Sequence, residues 1–593
     1  MPLCTATALT EDNPLRDGWA IETFSSATDS LWKHFDDILA KGPDAARYAE
    51  ELAAPSLVLD PLRPPGLKTV FDDRWLRVAR QADTAGGEGA AAVSPGAAVS
   101  PGDAVSPGDA ETFRGPEGLR RSAATLLAGI EEIRELRSKV KVVSVSLDEA
   151  SAETEVLYQL HVRHAAGAFQ VNSTWQCTWE KPAAGQGTPR LTRLVRKSYE
   201  EVRNEAGGEP VFADVTSRVL AGDVFERQLR HGVDHWLTRI EARMEIDIGG
   251  WQGLAVGDVN GDGLDDVYLS QPGGLPNRLY VQNSDGTATE MSAEAGVDWL
   301  ESSHAALIVD LDNDRDQDLV VAVSSGILIH SNDGGGRFSL RAAKLLPAAH
   351  PYSLGAADYD ADGDLDLYVC CYNRRQNVNY HVLFARPVPY HDANNGGPNV
   401  LLENSATPVT GEWQFQYATA RTGLDHNNHR FSYAVAWEDY DNDGDQDLYV
   451  ANDFGRNNLY RNDDGTFRDV AAEAGVEDIG PGMSSSWGDY DNDGWMDLYV
   501  SNMFSSAGNR ITEQLQFQQQ ADAQTKEAFR RHARGNSLFH NQRDGSFQDV
   551  SVESAVVLGR WAWGSRFVDL NNDGWKDLLV ANGFITQPDP GDL

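Results

Sequence analysis

Six times between residues 258 and 577 the chain repeats one acidic pattern, D-x-[DN]-x-D-G-x-x-D followed at once by an apolar run. The copies begin at Asp258, Asp310, Asp358, Asp439, Asp489 and Asp569, and successive starts lie 52, 48, 81, 50 and 80 residues apart. The unit is therefore near 50 residues long, and two of the intervals carry insertions of about 30. Carboxylate or amide groups recur at positions 1, 3, 5 and 9 of each copy. Their mutual repulsion needs an explanation.

Calcium supplies one. Side-chain oxygens at positions 1, 3, 5 and 9 and a backbone carbonyl at position 7 make a hard, all-oxygen cage. Glycine at position 6 permits the tight turn that aims these oxygens inward. The expected side-chain ligands are Asp258, Asn260, Asp262 and Asp266 in the first loop, and Asp310, Asp312, Asp314 and Asp318 in the second. The third and fourth loops offer Asp358, Asp360, Asp362 and Asp366, then Asp439, Asp441, Asp443 and Asp447. The fifth and sixth offer Asp489, Asp491, Asp493 and Asp497, then Asp569, Asn571, Asp573 and Asp577. The carbonyls belong to Leu264, Asp316, Asp364, Asp445, Trp495 and Trp575. The competing reading is a set of Asp/Asn/Gly-rich hairpin turns that bind nothing, but such turns need only one or two of these residues. An EF-hand is excluded, because its bidentate acid at position 12 is replaced by Leu269, Val321, Val369, Val450, Val500 and Val580. In the second loop Arg315 stands where the others have Gly, which makes this the weakest expected site.

The repeat continues past the loop. Small residues precede it, as in AVGD, GAAD and SSWGD, and fit a strand crowded near an axis. Downstream come NRLYVQNSDG, NNLYRNDDG and NSLFHNQRDG, and then TFRDVAAEAGV and SFQDVSVESAV, which read as a third and a fourth strand. Four strands per unit of about 50 residues describe a propeller blade. These residues resemble the FG-GAP (VCBS) repeat family, whose calcium-binding propeller forms the integrin α head, and more closely the bacterial proteins related to cartilage acidic protein. The resemblance covers about residues 210–593, within a propeller domain expected at 206–593. It implies a mainly β fold: a propeller of six four-stranded blades with up to six Ca2+ ions, in an extracytoplasmic setting. A seventh blade built from residues 218–250 stays open. The last unit ends after its second strand, whereas VFADVTSRVL at 211–220 matches the fourth-strand pattern, so this segment is expected to complete the last blade.

The net charge of −40 repels phosphate backbones and argues against nucleic acid as a partner. With 41% hydrophobic residues and 15 Trp, the chain is not a disordered acidic one. The six loops account for 22 carboxylates, so much of the acid excess sits in expected cation cages. Cys4, Cys177, Cys370 and Cys371 are too few for a disulfide framework. Neither a membrane span nor a signal peptide is apparent, which leaves localisation open.

Residues 1–24 read as a tail and 25–205 as a smaller α+β domain. A Val-Ser-Pro-Gly linker at 83–112 interrupts this domain, with repeats at Val93, Val99 and Val105. Helices are expected at 30–41, 43–53 and 116–140, followed by three or four alternating strands between 139 and 202. Helices first and an antiparallel meander after them resemble the cone of nuclear transport factor 2-like proteins. Glu155, Gln159, His161 and Arg163 then either line a pocket or form a solvated face.

Both long insertions, near 373–398 and 503–535, fall between second and third strands, on the face opposite the acidic loops. The segment DHNNHR at 425–430 should share that face. Its candidate partner-binding residues are Arg374, Arg375, His391, His426, His429 and Arg430, for a protein or glycan ligand. The expected function is a non-enzymatic binding or adhesion module. The alternative is an enzyme with its site in the cone or the axial funnel, although no nucleophile–base, phosphate-loop or zinc signature supports it.

Overall fold

A computed structural model describes residues 20–73, 75–81, 113–182, 187–204, 212–240, 253–374, 387–405, 413–514 and 517–583. The 83–112 linker and Arg375 lie outside the described residues. The chain divides into two compact units, Met1–Ala213 with Ser506–Phe517, and Asp214–Ser505 with Gln518–Leu593.

The first unit is an eight-stranded, mostly antiparallel sheet with short helices against one face. Its long strands Glu135–Leu147, Ser151–His164, Gly167–Glu180 and Arg190–Asn204 pair in sequence order. Alternation along Ser151–His164 sends Val156, Tyr158, Leu160 and Val162 into the core. There they meet Trp32 and Phe35 of the helices and Trp175 and Trp179 of the next strand. Glu155, Gln159, His161 and Arg163 point to the other side of the sheet, as strand alternation requires. Two helix expectations need correction. The 30–41 helix is two, Ala20–Trp32 and Phe35–Leu39. The 116–140 helix is Gly115–Leu126 only: Gly129 takes φ +80° and ends it, and the residues after it alternate as a strand. Helix Ser506–Thr512 belongs to this unit, where Arg510 pairs with Glu22 at 2.9 Å and donates to the Val142 carbonyl at 2.7 Å.

The second unit is a β-propeller-like repeat of five four-stranded antiparallel sheets and a sixth of two strands among the described residues. Blade 1 runs from Leu254 to Glu290, blade 2 from Ser303 to Leu345 and blade 3 from Ala349 to Tyr417. Blade 4 spans Phe431 to Asp469, blade 5 Gly482 to Asp549, and the sixth sheet Ala562–Val568 with Asp577–Asn582. Each blade's first strand packs on the first strand of the next. That contact accounts for the small residues before the loops: a Cβ on Gly257 would lie 2.6 Å from Ile308, and one on Gly488 2.6 Å from Phe567. The second strands of blades 2 to 5 are almost wholly buried, and those of blades 1, 3, 4 and 5 carry Tyr268, Tyr368, Tyr449 and Tyr499 into the inter-blade cores.

Over its described residues, 212–220, the strand expected at 211–220 is not one. Thr216–Val219 is a helical turn, and Asp214 Oδ1 accepts from the Thr216 amide at 3.0 Å. Blade 4 repeats that exit turn where Asp469 accepts from the Ala471 amide ahead of helix Ala471–Ala474. The motif match is therefore real locally, but it covers the turn rather than a paired strand. Nor do the described residues of 218–250 form a seventh blade. They are helical, with Phe225 and Gln228 buried at helical spacing and Gln228 hydrogen-bonded to Gln271, Pro276 and Arg278 of blade 1.

Candidate metal centre

The six acidic loops share one backbone design. The position-1 carboxylate accepts the amides of positions 5 and 6, as in Asp262 and Gly263 onto Asp258 at 3.1 and 2.7 Å. Asp358, Asp439, Asp489 and Asp569 repeat this, while Asp310 takes only the Arg315 amide, at 3.0 Å. Position 5 accepts the position-7 amide in every loop, at Asp262, Asp314, Asp362, Asp443, Asp493 and Asp573. Position 9 brackets the loop to the sheet. In blade 4, Asp447 accepts Tyr440 N at 3.2 Å and Asn462 N, from the third strand, at 2.7 Å. Asp266, Asp318, Asp366 and Asp497 do the same in their blades. Among the described residues Asp577 accepts only the Leu570 amide.

Two positions are left-handed, and the sequence pattern marks just one of them. At position 6 the φ angles run from +81° at Arg315 to +100° at Gly444. Position 4 is left-handed as well, at Gly261, Asn313, Ala361, Asn442, Asn492 and Asn572. The Gly/Asn preference there was readable, because these residues tolerate that region best. Arg315 carries the steric cost of a Cβ at φ +81°. Arg315→Gly should stabilise the fold by about 1 kcal/mol and tighten one calcium site several-fold. A calcium titration in which no site gains affinity would refute this.

In the second to fifth loops the carboxylates of positions 1, 3 and 9 converge, with ligand atoms all within 4.8 Å: Asp310/Asp312/Asp318, Asp358/Asp360/Asp366, Asp439/Asp441/Asp447 and Asp489/Asp491/Asp497. In the first and sixth loops, Asn260 and Asn571 instead donate to Asp262 and Asp573. Within the fifth, His540 Nδ1 lies 3.1 Å from Asp497 and Arg543 pairs with Asp493. The donor set fits a hard cation. Buried oxygens of Asp310, Asp312, Asp441 and Asp491 have no hydrogen-bond partner, and neither do those of the position-7 side chains Asp316 and Asp364. Burial, and then the neighbouring carboxylates, push Asp318 and Asp366 up to about 7. The same causes raise Asp447 to about 8. Carboxylates held this way are poised to ionise around a divalent ion.

Of the residues expected to meet a partner, one is withdrawn from the surface. Arg430 is buried, clamped to Asp392 at 2.5 Å and to the Ala393 carbonyl at 2.9 Å, so its role is structural. His391 packs against Phe529 at a tilt of 48°, with ring centroids 5.2 Å apart. Burial and the Arg374 charge lower the pKa of His429. Arg374 donates to the Gly396 carbonyl, and His426 is exposed. Within 425–430, Asn428 and Asn399 exchange two hydrogen bonds at 2.9 Å, which makes the segment a joint between blades 3 and 4.

The FG-GAP-like repeat family matches the chain at residues 258–321, 310–369, 439–500 and 528–580, so the chain carries FG-GAP-like repeats at four positions. Among curated proteins none matches it. Of solved structures, a lectin from Agrocybe aegerita, described by its recognition of non-reducing terminal N-acetylglucosamine, is similar over 55% of this chain and 73% of its own, at 15% identity and a TM-score of 0.32. A conserved protein from Planctomyces limnophilus is similar over 30% of this chain and 94% of its own, at 9% identity and a TM-score of 0.18. For a hexachlorocyclohexane dehydrochlorinase the figures are 33%, 97%, 8% and 0.21.

Proposed function

We propose that the repeat unit is a calcium-binding propeller that acts as a non-enzymatic binding or adhesion module for a protein or glycan ligand. The reading is carried by the buried carboxylate oxygens that lack hydrogen-bond partners in loops whose donors are all hard oxygens. Each loop would hold one ion through positions 1, 3, 5 and 9 and the carbonyl at 7, up to six in all. Affinities of roughly 10⁻⁴–10⁻³ M are typical of extracellular calcium modules and suit an extracytoplasmic setting. Among the described residues no helix is long and apolar enough to cross a membrane.

An enzyme in the N-terminal unit is the weaker reading. Its sheet interior is packed with Trp32, Phe35, Tyr158, Trp175 and Trp179, and its polar strand residues lie on the other side. The element order there is that of a nuclear transport factor 2-like cone, which we offer as its fold relationship.

Terbium tests the calcium reading, because Trp495 and Trp575 stand at position 7 of the fifth and sixth loops. Sensitised emission should rise to saturation on excitation of tryptophan and fall when calcium displaces the lanthanide. Emission that neither saturates nor yields to calcium, with no calcium in elemental analysis, sinks the proposal.

A further inference from the structure

A cavity of ≈450 Å³ opens between blades 4 and 5 at the acidic-loop end of the sheets. That size falls within the ~300–1,000 Å³ range of small-ligand clefts. Three guanidiniums, Arg461, Arg468 and Arg543, line it together with the Trp495 indole and the acceptors Asp544 and Ser546. The geometry points to a binding site for an acidic saccharide, a hexuronate unit held through its carboxylate, its hydroxyls and one face of its ring.

Each part of such a ligand meets a matching group. Guanidiniums bind carboxylates in bidentate fashion. Arg468 is available for this, because its pair with Glu473 is exposed on both sides (53% and 66%), and such pairs are weak and readily exchanged. Arg461 is similarly paired with Asp463 near the surface, at 3.0 Å. Vicinal hydroxyls donate and accept at once, and the wall alternates donors on Arg461 and Arg543 with acceptors on Asp544 and Ser546. A flat indole offers the apolar surface that the C–H face of a sugar ring needs. An acidic peptide would meet the same arginines but would bring no sugar-ring face to the indole.

The inference rests on the calcium reading in one respect. Asp441 and Asp443 belong to the fourth loop and also line the cavity, so together with Glu473 and Asp544 four carboxylates face three guanidiniums. An ion in the fourth loop offsets two of those charges and leaves the cleft with cation in excess. Arg543 adds a second link, since it holds Asp493 of the fifth loop at 2.9 Å. An ion that draws on Asp493 turns this guanidinium towards the cleft.

The test is calorimetric titration of the full chain with a hexuronate trisaccharide and with its carboxyl-reduced counterpart, at fixed free calcium and in chelator. Calcium binding to the same preparations is measured separately. The expected result is saturable binding of the acidic trisaccharide in calcium, weaker by at least about tenfold for the reduced sugar and in chelator. Arg468→Ala should lose about tenfold while its calcium isotherm stays that of the parent, and Trp495→Ala should lose the trisaccharide as well. If calcium binds but neither sugar does, the cleft proposal alone fails; if calcium does not bind, the calcium reading fails first. Equal binding of both sugars, or equal binding of a short oligoglutamate, overturns the assignment of an acidic saccharide.

Discussion

In millimolar calcium the repeat unit should unfold at a temperature higher by on the order of ten degrees or more than in chelator, and the gap should widen as pH rises from 5 to 8. Each ion that binds only the folded state adds RT ln(1 + [L]/Kd). At 10 mM calcium and the affinities expected of such loops this is ~1–3 kcal/mol per site. The pH term comes from the position-9 aspartates. Burial and the flanking carboxylates raise Asp318 and Asp366 to about 7 and Asp447 to about 8, from an ordinary value of 3.8. Without an ion, the folded chain therefore binds more protons than the unfolded chain between those values. Stability from these groups is complete below about pH 4 and is lost as pH climbs through 7 to 8. A shift of ~3 units corresponds to ~4 kcal/mol per buried carboxylate. Calcium takes the carboxylates in their ionised form and removes that penalty, so binding should also release protons below pH 8. Scanning calorimetry at pH 5, 6.5 and 8, with and without chelator, reads both effects. Parallel melting curves across that range would show that these loops hold no cation.

The acidic loops were legible because everything that defines one lies within nine residues. Local spacing specifies which oxygens converge, and it did so for positions 1, 3 and 9 of four copies. The left-handed residue at position 4 is legible too, in Gly261 and the four asparagines, although Ala361 breaks the pattern in the third loop. What sequence could not supply was pairing at a distance. The 211–220 segment has the right residues for a fourth strand and makes the right exit turn at Asp214, yet what a strand pairs with depends on an edge hundreds of residues away. The 116–140 helix failed for a local reason: Gly129 and the alternation after Arg134 outweigh the charged, helix-favouring composition. Arg430 looked like a surface cation in a polar loop, and only Asp392, contributed by an insertion 38 residues earlier, makes it a buried clamp.

Substituting Asn462 with Ala should cost about 3–5 kcal/mol, whereas Gln282→Ala at the corresponding place in blade 1 should cost under about 1 kcal/mol. The asparagine that ends the third strand looked, in sequence, like part of a turn motif. Its side chain in fact joins neighbouring blades. Asn462 Nδ2 donates to the Tyr359 carbonyl of the preceding blade's loop at 2.7 Å and to the Gln446 carbonyl of its own at 3.1 Å, while Oδ1 accepts the Gly465 amide at 2.8 Å. Asn332, Asn404 and Asn541 make the same pair of bonds, reaching Val259, Leu311 and Tyr440. All four are buried, so truncation leaves backbone carbonyls without partners where water cannot replace the amide. Gln282 stands at this position in blade 1, as its amide on Asp266 shows, but is only half-buried. Asn462→Asp should be no better than Ala, since it sets an acceptor against two carbonyls. Denaturant unfolding of the three variants in saturating calcium separates the staple from the metal. An Asn462→Ala chain as stable as Gln282→Ala would mean that the blades are held by their apolar contacts alone. A large loss would instead place the bond that joins each blade to the next directly beside the acidic loop of the blade before it, since Tyr359 is position 2 of the third loop and lies between Asp358 and Asp360. Ion binding and blade docking would then share a backbone segment, and chelation would loosen adjacent blades as well as the loops themselves.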